Sequence, residues 1–93
     1  MTSEAKKAKA VKKPQPGVVT LSSPVTVDDE KYNSLTMRAP KVGDQLAVEH
    51  TKLLGAREAA LFANLCEVSP EVIAELSLSD YGLLQQAYTS FLT

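Results

Sequence analysis

The sequence predicts an α+β fold: an N-terminal β-hairpin followed by a small bundle of three or four short helices. Three observations predict it. Strand-forming residues cluster between Val18 and Arg38 around a polar turn. Apolar residues recur at helical spacing from Val42 onward. A basic segment without apolar pattern precedes both. The expected organisation is a Lys/Ala/Pro-rich arm over 1–17 and one domain over 18–93, with the hairpin at 18–39 and the helices at 42–93.

The arm carries Lys6, Lys7, Lys9, Lys12 and Lys13 against Glu4, a net of +4 over residues 1–13. It ends in Pro14, Pro16 and Gly17. Such a composition buries too little apolar surface to offset the entropy of ordering, so the arm is expected to be disordered. Two readings of it stay open: an electrostatic arm for nucleic acid or an acidic partner, or a solvated extension that aids solubility. Residues 14–93 hold five basic and ten acidic side chains, a net of −5. That balance repels phosphate backbones from most of the folded surface.

In the hairpin, Val18, Val19, Thr20 and Leu21 are strand formers, and Val25, Thr26 and Val27 continue them. Pro24 between the two runs fits an edge position or a bulge. Asp28, Asp29, Glu30 and Lys31 form the expected polar turn. Tyr32 to Arg38 is the return strand, with Leu35 and Met37 alternating with Thr36 and Arg38. A lone hairpin is not stable in water, so it must pack on the helices.

Gly43 and Asp44 are expected to open the first helix, which carries Val42, Leu46, Ala47, Leu53 and Leu54 and is broken or capped by Gly55. The next spans 56–67, with Ala59, Phe62 and Cys66 on one stripe. Ser69-Pro70-Glu71 is a start signal in which the serine caps and the proline takes the first helical position. Ser77 with Asp80, or Ser79 alone, starts the last helix. Tyr81, Leu84, Ala87, Tyr88 and Phe91 share one face of it, widened by Leu83 and Leu92.

Chemistry is hard to find. His50, the single histidine, is expected mid-helix with no triad partner. Cys66 is the single cysteine and reads as a packed core thiol. With no cysteine–histidine cluster, neither a disulfide within the chain nor a structural zinc site is expected. Asp28-Asp29-Glu30 lacks the alternating ligands of a calcium loop. The four glycines are scattered, so no phosphate-cradling loop is expected. Residues 56–93 hold one basic side chain, Arg57, too few for a DNA-recognition helix. No apolar run approaches the roughly 20 residues needed to span a bilayer. The opening MTSEAKKAKAVKK lacks the apolar region of a secretory signal. The expectation is a non-catalytic binding protein without cofactor or metal, in a reducing cytoplasm. The wide face of the last helix either packs on the core or offers Leu84, Tyr88 and Phe91 to an apolar partner.

Two ordered blocks carry a family resemblance. Thr20-Leu21-Ser22-Ser23-Pro24-Val25 and Leu35-Thr36-Met37-Arg38-Ala39-Pro40-Lys41-Val42-Gly43-Asp44 resemble the opening of the tail assembly chaperones of Mu-like and related contractile-tail phages. Leu65-Cys66-Glu67-Val68-Ser69-Pro70-Glu71-Val72 and Leu76-Ser77-Leu78-Ser79-Asp80-Tyr81 are similar to that family's closing portion. The resemblance covers about residues 18–93. Lys41 departs from it, standing where the family often has a small hydroxyl residue that would cap the helix. Met37 replaces a common leucine at similar volume.

The resemblance implies a chaperone that binds the tape measure protein and keeps it soluble until tube subunits polymerise around it. It implies work in the host bacterial cytoplasm and absence from the mature virion. The tail tube protein and a second copy of the chain are further candidate partners. The competing readings are a small DNA-binding regulator using the lysine-rich arm and a minor structural tail protein.

Overall fold

A computed structural model describes residues 17–92. Of the arm expected to be disordered over 1–17, residues 1–16 lie outside the described residues, and Gly17 is held at the head of the hairpin. Strands β1 (Val18–Val27) and β2 (Glu30–Thr36) form a two-stranded antiparallel hairpin. Four helices follow: α1 (Val42–Val48), α2 (Leu54–Cys66), α3 (Pro70–Ala74) and α4 (Leu78–Phe91). The predicted α+β architecture is the one observed.

The turn is tighter than the sequence suggests. Val27 pairs with Glu30, so the loop is Asp28-Asp29 alone, and Glu30 and Lys31 belong to β2. Both aspartates have positive φ, 51° and 67°. Two-residue hairpin loops need that hand to match the twist of the strands, and aspartate tolerates it better than most residues.

Pro24 does mark a bulge. Thr20 pairs with Ser34 and Val25 with Tyr32, so the four residues Leu21 to Pro24 stand opposite Asn33 alone. Proline has no N–H to give a ladder, and the distortion frees the N–H groups of its neighbours. Val19, Leu21 and Val25 on β1 and Leu35 and Met37 after the turn face the core. Gly17 introduces β1 with φ +84° and accepts a hydrogen bond from the Met37 N–H at 2.8 Å. A Cβ there would lie 2.1 Å from the Met37 carbonyl oxygen, so only glycine fits.

The core joins the inner face of the hairpin to Leu61, Phe62, Ala63 and Leu65 of α2, Val72 and Ile73 of α3, and Leu84 of α4. Phe62 is its centre, fully buried between the Tyr81 and Tyr88 rings, each with its centroid 5.6 Å away. Burying a side chain of that size contributes roughly 1.5–3 kcal/mol. Cys66 is buried, as its stripe predicted, and burial pushes its thiol up to about 11, far from a reactive thiolate.

Three local expectations need correction. The first helix stops at Val48 and does not run to Leu54; Gly55 sits in the first turn of α2 rather than ending α1. The Thr51 N–H returns to the Val48 carbonyl and the Arg57 Nε donates to the Thr51 carbonyl at 2.8 Å, which holds residues 49–53 as a link. His50 therefore lies in that link, exposed, and not mid-helix. Ser69 stands at the N-cap of α3, but its hydroxyl makes no capping bond. The Val72 N–H it would cap is already given to the Ser69 carbonyl at 3.0 Å.

Candidate functional site

The two sequence blocks that carry the resemblance turn out to be junctions. At the first, Arg38 clamps Asp44 with two hydrogen bonds, Nη1 to Oδ2 at 3.0 Å and Nη2 to Oδ1 at 2.8 Å. Asp44 also accepts from the Lys41 backbone N–H at 2.8 Å. Lys41 brings no hydroxyl to the N-cap of α1; the Asp44 N–H that such a cap could take goes instead to the Lys41 carbonyl at 2.9 Å, and the Asp44 carboxylate takes the Lys41 N–H in return. The Arg38 guanidinium and the Lys41 N–H hold the Asp44 carboxyl well below the usual range, at about 2.

The second junction is buried. Asp80, 1% exposed, receives the Ser22 N–H at 3.0 and 3.1 Å, the Ser22 hydroxyl at 3.0 Å and the Ser23 N–H at 3.3 Å. These are the donors that the bulge withdraws from the strand ladder. Asp80 lies in the first turn of α4, where the helix dipole favours a negative charge, and its own N–H donates to the Ser77 hydroxyl at 3.2 Å. Ser77 is thus the cap, and Ser79 is not. Hydrogen bonds from Ser22, the backbone one foremost, lower the Asp80 carboxyl below its ordinary value. The role of this buried charge is structural, since it fastens α4 across the hairpin.

The sequence points to three residues of α4 for an apolar contact. Leu84 is 0% exposed and has no surface to give a partner. Phe91 is half-buried and packs beside Gly17. Tyr88 is half-buried, packs on Phe62 with the rings tilted by 52°, and reaches an open groove. The face of α4 is mainly a core face.

The apolar surface left open lies elsewhere. Val42 is 77% exposed, Leu46 57%, Leu53 76% and Leu54 75%. They sit on α1, on the link and at the start of α2. Val42, Leu46 and Leu54 line a solvent-open groove of about 630 Å³ between α1, α2 and Tyr88, floored by Val48 and Leu61. Its polar lining comprises Gln45, Glu49, Arg57 and Glu58. Gln45 Nε2 donates to the Tyr88 hydroxyl at 2.7 Å and so links α1 to α4 along one wall. Glu58 is held by the Tyr81 hydroxyl at 2.5 Å and by Gln85 Nε2 at 3.0 Å. Clustered apolar exposure of this kind marks interaction surfaces, whereas singly scattered residues such as Leu78 need no such account.

Sequence reasoning missed this groove because it reads Val42, Leu46, Leu53 and Leu54 as apolar positions of one continuous helix ended by Gly55. No sequence signal separated them from core positions; in the structure, Val48 is the one residue of α1 that is buried. No group of three or more histidine, cysteine, aspartate or glutamate side chains that could hold a metal occurs among the described residues. No described helix is long and apolar enough to cross a membrane. What the groove can do chemically is bury apolar side chains beside hydrogen-bonding and charged groups.

Comparison with curated proteins and with solved structures gives no match. A family model does match: phage tail assembly chaperone proteins, E, or 41 or 14, over residues 18–93. That match spans both junctions, all four helices and the groove. The chain belongs to the phage tail assembly chaperone family, and its role is that of a chaperone in tail assembly.

Proposed function

We propose that this chaperone binds the tape measure protein and covers its apolar surface while the tail is built. The observation that carries the reading is the open apolar groove, whose Val42, Leu46 and Leu54 have no partner within the described fold. A long helical protein waiting for its tube subunits presents apolar stripes that associate with one another. Small chaperones laid along it in many copies give cover by multivalency, with each contact weak enough to be displaced. Tyr88 contributes directly at the groove wall, while Leu84 and Phe91 contribute by packing α4 into the core that carries it. The work takes place in the host bacterial cytoplasm, and the chain leaves before the contractile tail is complete.

Co-expression with the tape measure protein tests this reading. The intact chain is expected to keep that protein in the soluble fraction and to co-purify with it. Serine at Tyr88 and Phe91 is expected to weaken both effects, with thermal unfolding followed in parallel because Tyr88 also packs on Phe62. A tape measure protein that stays insoluble beside the intact chain contradicts the proposal. Mass spectrometry of purified particles separates it from a minor structural tail protein, since a chaperone is missing from them. A salt titration of DNA binding separates it from a regulator acting through the lysines, which would show a steep salt slope.

A further inference from the structure

We infer that the groove between α1 and α2 takes an amphipathic helix whose apolar stripe is flanked by lysine or arginine. The inference rests on the chaperone's binding a helical tail protein and specifies which helix surface it selects. Three observations lead to it.

The first is shape. The groove is open to solvent and walled by helices about 10 and 20 Å long, which suits an elongated occupant of two to three helical turns. The second is the apolar lining, with Val42, Leu46 and Leu54 exposed at its edges and Val48 and Leu61 beneath them. A helix laid here would set residues spaced three and four apart against those side chains. The third is charge. Glu49 and Glu58 stand at the lining against a single cation, Arg57, a net negative charge, and with Glu58 already accepting from Tyr81 and Gln85, Glu49 is the carboxylate most open to an occupant. Two carboxylates bordering an apolar floor favour a cation beside the occupant's apolar stripe and disfavour a carboxylate. A second copy of the chain fits less well. It would bring the same Glu49 and Glu58 to the contact, and like charges set face to face oppose association.

Synthetic helical peptides of about 18 residues, long enough to hold a helix, provide the probe. Three share one leucine stripe and carry lysine, glutamine or glutamate beside it; their affinity for the full chain is measured by fluorescence anisotropy. The lysine-flanked peptide is expected to bind about 5-fold or more tighter than the glutamate-flanked one at low salt, and the gap should close near 0.5 M salt. Glu49→Lys is expected to reverse the order. Leu46→Ser with Leu54→Ser is expected to abolish binding of all three while leaving the circular dichroism spectrum and unfolding midpoint in place.

Equal binding of the three peptides, or an order unmoved by Glu49→Lys, overturns the cationic flank. Tighter binding of the glutamate-flanked peptide also overturns it. Binding that survives the double serine change overturns the groove itself. The same double variant, co-expressed with the tape measure protein, keeps the two readings apart. If it solubilises that protein as well as the intact chain does, the groove is refuted and the tape measure reading stands. If the intact chain fails while the peptides rank as expected, the partner is wrong and the groove stands.

Discussion

The two ends of α4 face opposite physical situations. At its N-terminus Asp80 is enclosed, and its carboxylate is met by donors from Ser22 and Ser23 of the bulge. Beside its C-terminal half, Tyr88 borders a groove whose apolar groups are left facing water. Buried polar groups must be satisfied internally, or each costs free energy comparable to a lost hydrogen bond. Exposed apolar groups carry no such requirement, so a fold can leave them for another molecule to cover. The contrast teaches which part of this small domain holds it together and which part is left over for binding.

The largest loss of stability is expected in the core that both regions share. Phe62→Ala or Leu84→Ala should cost about 2–5 kcal/mol by urea unfolding, because each empties a fully enclosed position. Asp80→Asn comes next. The amide would set an N–H₂ against the N–H donors of Ser22 and Ser23, lowering the unfolding midpoint at neutral pH. The intact chain should also be acid-sensitive. Asp44 and Asp80 have carboxyls depressed in the folded state, so the stability they give is present above the unfolded value of about 3.9. It is lost as pH falls through the folded values, for Asp44 down to about 2. Midpoints measured from pH 5 to pH 2 should fall less steeply in Asp80→Asn than in the intact chain.

Smaller still, Ser77→Ala removes the cap of α4 and should cost about 1 kcal/mol. At the far end of the scale, serine at Leu46 or Leu54 should change stability by no more than about 0.5 kcal/mol, since both are mostly exposed. A loss of stability there as large as that of Leu84→Ala would mean that these leucines belong to the core, and the contrast would disappear.

Much of the fold was legible in the chain. Val18–Leu21 and Val25–Val27 signalled a strand, Pro24 its bulge, and Ser77 with Asp80 a helix start, because each is a local rule about φ, donors or caps. What local rules could not supply was the far partner of each group. The Asp80 carboxylate could be placed at a helix N-terminus, but its bond to Ser22, 58 residues away, depends on how α4 lies across the hairpin. The groove was hidden for the same reason. Leu53 and Leu54 look like the continuation of one helical period until the link over 49–53 separates α1 from α2 and leaves them exposed. Leu84 and Tyr88 share a helix face by spacing alone, yet packing on Phe62 encloses one and leaves the other at an edge.

On the proposed reading the α1–α2 side, and not the hairpin side, meets the tail protein. Hydrogen exchange of the chaperone with and without the tape measure protein tests it most directly. Protection gained across residues 42–61, with the Val18–Val27 strand unchanged, is the predicted result. Protection confined to that strand and its turn, with α1 and α2 exchanging as in the free chain, would contradict it.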